Sequence, residues 1–152
     1  MDIGLIKKAA IFADLTDREL ERVGEICNEQ QFKTGQTIFS EGEPGNRLFI
    51  ISDGEVRISR NVPGSGEEAL AVLKPGACFG EMSVFDRSTR STDAIANTEC
   101  RLLTISRSDF EMLLDFDRDL AYKILWSVVK LLSERLRITN DNLRSFLAMS
   151  MF

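Results

Sequence analysis

Histidine is absent from all 152 residues, and tryptophan and tyrosine occur once each. Without histidine, most catalytic triads, most catalytic zinc sites and the facial triad of non-haem iron are out of reach. The three cysteines, Cys27, Cys78 and Cys100, are odd in number and widely separated. They have neither zinc-ligand spacing nor the even count of a disulfide framework. They are expected to be buried thiols in a reducing compartment, which places the chain in the cytoplasm. Long apolar runs are also missing: stretches such as Leu48-Phe49-Ile50-Ile51 are a few residues long, whereas a helical membrane span needs about 20. The N-terminus carries Asp2 and has no basic residues ahead of an apolar core, so it does not read as a signal peptide. Positive charge is in deficit, with 24 acidic against 19 basic residues and a net charge of −5. A domain that grips DNA unaided presents a basic face, so direct DNA binding by this chain alone is not expected.

What remains is the composition of an ordinary soluble domain, 43% hydrophobic and 28% charged, which is enough to bury one core. A single domain over residues 1–152 is expected, with helices over 1–30, strands over 31–105 and helices again over 106–152. Leu5, Ile6, Ala9 and Ala10 recur at helical spacing. Thr16-Asp17-Arg18-Glu19 reads as a capping box before a short helix with Leu20, Val23 and Ile26 on its apolar stripe. From Gln31 onward, short apolar runs alternate with Gly and Pro signals about ten residues apart, the pattern of a β-sandwich or barrel. The runs are 37–39, 48–51, 56–58, 70–73, 94–96 and 102–105. Ser106, with Asp109 three residues on, caps a short helix through Phe110, Leu113 and Leu114.

A long helix from about Arg118 to near Ala148 follows. Thirty residues extend about 45 Å, more than one small barrel can cover. Two apolar stripes run along it. Ile124, Val128, Leu131 and Ile138 are expected against the barrel. Leu125, Val129, Leu132, Leu136, Thr139, Leu143 and Phe146 alternate spacings of four and three, a heptad seam that predicts a parallel contact between two subunits. The alternative is one wide stripe lying on the chain's own barrel.

The stretch with the most chemistry is Phe79-Gly80-Glu81-Met82-Ser83, followed by Arg90-Ser91-Thr92. Gly80 permits a tight turn into a short helix, whose free N–H groups favour a phosphate. Arg90 offers a guanidinium fork for two phosphate oxygens. Glu81 repels an anion, so its carboxylate suits a hydroxyl donor such as a ribose 2′-OH, or holds Arg90 in place. Ser83 and Ser91 add hydroxyls. Alone, an acid and an arginine nine residues apart would read as a surface ion pair worth about 0–1 kcal/mol; the flanking residues and the glycine frame argue otherwise.

These residues resemble the phosphate-binding cassette of cyclic nucleotide-binding domains, as in bacterial catabolite activators, protein kinase A regulatory subunits and cyclic nucleotide-gated channels. The resemblance runs from about Ile11 to Asn140, with Gly35, Gly42, Gly45, Gly54, Gly76 and Gly80 at the family's turn glycines. It implies a mainly β fold with flanking α: an eight-stranded, double-stranded β-roll (jelly-roll barrel) with N-terminal helices and a long C-terminal helix. It also implies Glu81 on the ribose 2′-OH and Arg90 on the cyclic phosphate, with Met82, Ser83 and Ser91 completing the cup. Arg135-Leu136-Arg137-Ile138-Thr139-Asn140 resembles the helix segment that reaches the base. By that match Thr139 would meet an adenine amino group and Asn140 the ligand of a second subunit. Thr92 and Asp93 depart from the family, which usually has Ala and then an apolar residue or Thr. Strand alternation should turn Asp93 away from the cup.

The expected function is a cyclic AMP sensor, with cyclic GMP left open by Ser91, acting as a homodimer without catalysis and without a cofactor beyond its ligand. One alternative is the ligand-binding half of a catabolite-activator-type transcription regulator whose helix-turn-helix would follow Phe152. Another is a dimerisation module with an empty pocket. An enzyme on a cupin-like barrel is disfavoured by the missing histidines.

Overall fold

A computed structural model describes residues 2–151. Asp2 caps α1 (Ile3–Lys8) by accepting the Gly4 and Leu5 N–H groups. The helix stops at Lys8, so Ala10 falls not on its stripe but in a 3-10 turn, Ala10–Phe12. The capping box at Thr16 forms in full: Thr16 Oγ1 accepts the Glu19 N–H at 3.3 Å, and Glu19 Oε1 accepts the Thr16 N–H at 2.9 Å. It opens α2 (Asp17–Glu25), which buries Leu20 and Val23.

Eight strands follow: β1 (Asn28–Phe32), β2 (Thr37–Phe39), β3 (Arg47–Asp53), β4 (Val56–Val62), β5 (Gly66–Leu73), β6 (Cys78–Phe79), β7 (Asp93–Ala96) and β8 (Cys100–Ser106). They form two antiparallel four-stranded sheets, in the orders β1-β8-β3-β6 and β2-β7-β4-β5. The helix α3 (Glu81–Asp86) interrupts the strands, and α4 (Arg107–Phe116) and α5 (Arg118–Ser150) close the chain. This is the double-stranded β-roll with helices at both ends. The strands start at Asn28, ahead of the expected Gln31, because β1 has no apolar run to announce it.

The run Leu48–Ile51 is buried throughout because the first sheet has both faces covered. Leu48 and Ile50 pack against the helices with Ile6, Phe12, Phe110, Leu120 and Ile124. Phe49 and Ile51 point into the roll with Phe39, Val56, Phe79 and Leu102. Three aromatic rings pack together there, Phe49 on Phe79 at 5.0 Å and Phe39 at 5.9 and 6.0 Å from them.

The first half of α5 is locked to the N-terminal helices. Arg22 pairs with Asp117, Lys123 with Glu19 at 2.7 Å and Lys130 with Asp14 at 3.1 Å. Ile124 and Val128 are buried and Leu131 partly so, as expected, but Ile138 is exposed, because α5 has left the roll by then. Every described residue after Ser133 is exposed. The second stripe, Leu125 through Phe146, also lies on an exposed face. Of the thiols, Cys100 is buried, while Cys27 and Cys78 are half-buried rather than fully enclosed. No described helix is long and apolar enough to cross a membrane.

Candidate functional site

Strand β6 pairs with β3 and delivers the chain to Gly80, whose φ of 77° is left-handed, a turn that glycine makes without strain. That turn starts α3 directly at Glu81. The first-turn N–H groups of α3 have no intrahelical acceptor. Across from α3 the chain returns at Arg90, whose main chain is tied to the turn before β3: its N–H donates to Glu43 O and its O accepts the Gly42 N–H, both at 2.8 Å.

Between these segments lies a cavity of about 270 Å³. Phe79, Gly80, Glu81, Met82, Ser83, Arg90, Ser91, Thr92 and Arg135 all line it. Two expected residues do not. Thr139 and Asn140 sit further along α5, exposed, and the Thr139 hydroxyl donates to Arg135 O at 2.9 Å. The cavity as one chain forms it therefore brings together Glu81, Ser83, Arg90 and Ser91 but neither Thr139 nor Asn140.

Arg90 is only 4% exposed. Its Nη1 donates to Gly80 O at 2.8 Å and its Nη2 to Arg47 O at 2.6 Å, while its guanidinium lies 4.2 Å over the Phe39 ring. Its Nε is buried with no partner among the described residues. Burial holds its pKa below the ordinary arginine value, and the neighbouring Arg47 and Arg107 charges push the same way, against Glu43 and Glu81. Arginine stays charged regardless, so the cavity holds a buried cation met by carbonyls and an aromatic face rather than by a paired carboxylate.

Glu81, also 4% exposed, does not pair with Arg90. Its Oε1 instead accepts from Arg135 Nη2 of α5 at 3.2 Å. The expectation that Glu81 orients Arg90 is thus corrected: two backbone carbonyls and an aromatic face hold Arg90, which frees the carboxylate to bind α5. Glu81 and Arg90 thus line the same cavity without pairing with each other.

Ser83 is buried and Ser91 exposed, both on the lining. Thr92 faces the cavity, and Asp93 turns away to accept the Glu41 N–H at 2.7 Å, as alternation predicts. Sequence reasoning missed the apolar wall of Phe39, Ile58 and Leu73, and also Cys78. Burial, and then the Glu81 charge, push the Cys78 thiol well above its usual pKa, and burial lifts Cys27 to about 11. Neither supplies a thiolate nucleophile near neutral pH. Among the described residues no cluster of His, Cys, Asp or Glu could hold a metal ion. The chemistry on offer is recognition of an anion beside a hydroxyl.

A family model described as a cyclic nucleotide-binding domain matches residues 29–117. A CRP-like cAMP-activated global transcriptional regulator of Mycobacterium tuberculosis is 32% identical over 139 residues, covering 91% of this chain and 60% of that protein. The crystal structure of the N-terminal domain of a transcriptional regulator from Streptomyces coelicolor matches with a TM-score of 0.80 at 32% identity, covering 91% of this chain and 94% of that one. The catabolite activator protein of Thermus thermophilus matches with a TM-score of 0.79 at 32% identity, covering 88% of this chain and 61% of that one. The chain spans about 60% of the length of these larger regulators.

Proposed function

The chain belongs to the cyclic nucleotide-binding domain family, and from that premise we propose that it binds 3′,5′-cyclic AMP in the cavity under α3 and reports occupancy through α5. The observation that carries this reading is the pair of buried, mutually unpaired charges, Glu81 and Arg90, that line one cavity. The Arg90 guanidinium takes the phosphodiester charge, which supplies the missing counter-ion. The Glu81 carboxylate accepts the ribose 2′-OH. Ser83, Ser91 and the N–H groups at the start of α3 complete the cup, with Gly80, Met82 and Thr92 shaping it and Phe79 backing it.

Because Glu81 also holds Arg135, the ligand's hydroxyl and the long helix share one carboxylate. That sharing links the sugar to α5. Ligand shifts α5 only by its differential affinity for two helix positions. Thr139 and Asn140 are assigned to the base: they reach it when α5 repacks across the cavity mouth or when a second subunit brings its own α5. The exposed seam from Leu125 to Phe146 supports a homodimer through α5. A soluble, cytoplasmic sensor without catalysis fits this reading. Cyclic GMP is the competing ligand.

The likeness to larger regulators supports a second reading, in which this domain is the ligand-binding part of a transcription regulator. Both readings require the same cavity. Calorimetric titration of nucleotide-free protein with cyclic AMP and cyclic GMP tests them. Saturable heat with cyclic AMP is expected; no heat with either at millimolar ligand would end the proposal.

A further inference from the structure

Arg107 is the first residue of α4, and it reaches away from its own helix into the walls of the cup. Its main-chain N–H donates to Asn46 O at 2.8 Å. Its Nη2 donates to Gly45 O and, at 2.9 Å, to Ser83 O. Its Nε is buried without a partner among the described residues. One side chain therefore joins three parts of the chain: the turn before β3, helix α3 and helix α4.

The two walls it joins are in close contact at Gly45. A methyl group at Gly45 would lie 2.1 Å from Ser83 Cβ and 3.1 Å from Arg90 Cζ. Gly45 thus lets the turn sit directly on α3 and on the Arg90 guanidinium, and Arg107 binds a carbonyl on each side of that contact. Buried carbonyls turned toward one guanidinium form strong, charge-assisted hydrogen bonds. The Arg107 charge also lies near enough to Arg90 to lower its pKa, after burial and Arg47.

We propose that Arg107 is a positioning residue for the nucleotide phosphate: it clamps the Gly45 turn and α3 around Arg90 and fastens that cup to α4. The clamp rests on the cyclic-nucleotide reading only for the identity of the anion. Its consequence is that the cup and α4 move as one body, a second route from ligand to the C-terminal helices beside the Glu81–Arg135 contact. The side contacts agree: Phe85 of α3 meets Phe110 of α4 edge to face at 5.6 Å, and Arg87 pairs with Glu111 at 2.9 Å.

The test compares the full chain with Arg107→Met, which keeps the stem and removes the donors, and Arg107→Lys, which restores a cation. Hydrogen exchange of the ligand-free proteins reads the clamp: in Arg107→Met the amides of Gly42, Glu43, Gly45 and Asn46 and of 81–86 should exchange faster, while those of β3 and β8 keep their protection. Calorimetry reads the positioning: cyclic AMP affinity should fall about tenfold in Arg107→Met and recover in part in Arg107→Lys. Unchanged exchange in the cup segments overturns the clamp, whether or not the unaltered protein binds cyclic AMP. Unchanged affinity, or equal losses in both variants together with a general loss of protection, overturns the positioning role. Absence of binding by the unaltered protein alone counts against the functional reading, not against the clamp.

Discussion

At Gly45 the chain has no room for a side chain, and the reason is steric rather than torsional. The site needs the turn before β3 pressed onto Ser83 and Arg90. Gly45→Ala forces these apart, and overpacking of this kind costs about 1–3 kcal/mol. Cyclic AMP affinity should drop at least about tenfold with it. Gly35 is the contrasting case: its φ is 84° but a methyl there meets nothing within 4 Å. Gly35→Ala should cost about 1–2 kcal/mol of backbone strain and leave affinity unchanged. Chemical unfolding and calorimetry on both variants check this; equal affinity losses would contradict the account. At this scale the sequence was legible where the cavity lining comes from one short stretch, as with Glu81 and Arg90. Their partners were not. Arg90 is held by the carbonyls of Gly80 and Arg47, and a carbonyl carries no residue-type signal. Arg135 meets Glu81 from 54 positions away, a distance no spacing rule covers.

Among the elements, caps and apolar runs were the readable part. Thr16 and Ser106 cap as expected, and each apolar run became a strand. The strands that escaped are β1, whose Asn-Glu-Gln-Gln-Phe sequence reflects an edge position with mostly exposed side chains, and β6, which is two residues long. Neither can show a hydrophobic period. The joint between α4 and α5 offers a prediction. Asp117 caps α5, accepting the Leu120 N–H at 3.1 Å, and pairs with Arg22 of α2. That N–H bond, opposed by burial and aided by Arg22, holds its pKa below the ordinary aspartate value. A depressed carboxyl stabilises the fold fully above its unfolded value and loses that contribution as pH falls through its folded value. Asp117→Ala should therefore cost about 1–2 kcal/mol at pH 7, and the gap from the unaltered protein should shrink below about pH 4. Denaturant unfolding at both pH values measures it; a gap independent of pH would contradict the assignment.

The whole molecule is acidic, with a net charge of −5, yet Arg90 and Arg135 both line one cavity. Concentrating cations against the overall charge is what an anion-binding cup requires. The other molecular feature is α5, a rod of about 50 Å whose far half is exposed and, beyond the Arg135–Glu81 contact, runs clear of the roll. Leu132, Leu136, Leu143 and Phe146 are each at least 43% exposed there. A heptad seam of this kind is predicted to pair two copies, so sedimentation should find a dimer, and Leu132→Glu with Leu136→Glu should give a folded monomer. A monomeric unaltered protein at micromolar concentration would refute the pairing. The most direct measurement of the central claim sets the unaltered protein beside Arg90→Ala in calorimetric titration with cyclic AMP. The account predicts one nucleotide bound per chain and an affinity loss of about a hundredfold or more in the variant. No binding by the unaltered protein, or equal binding by both, would contradict it.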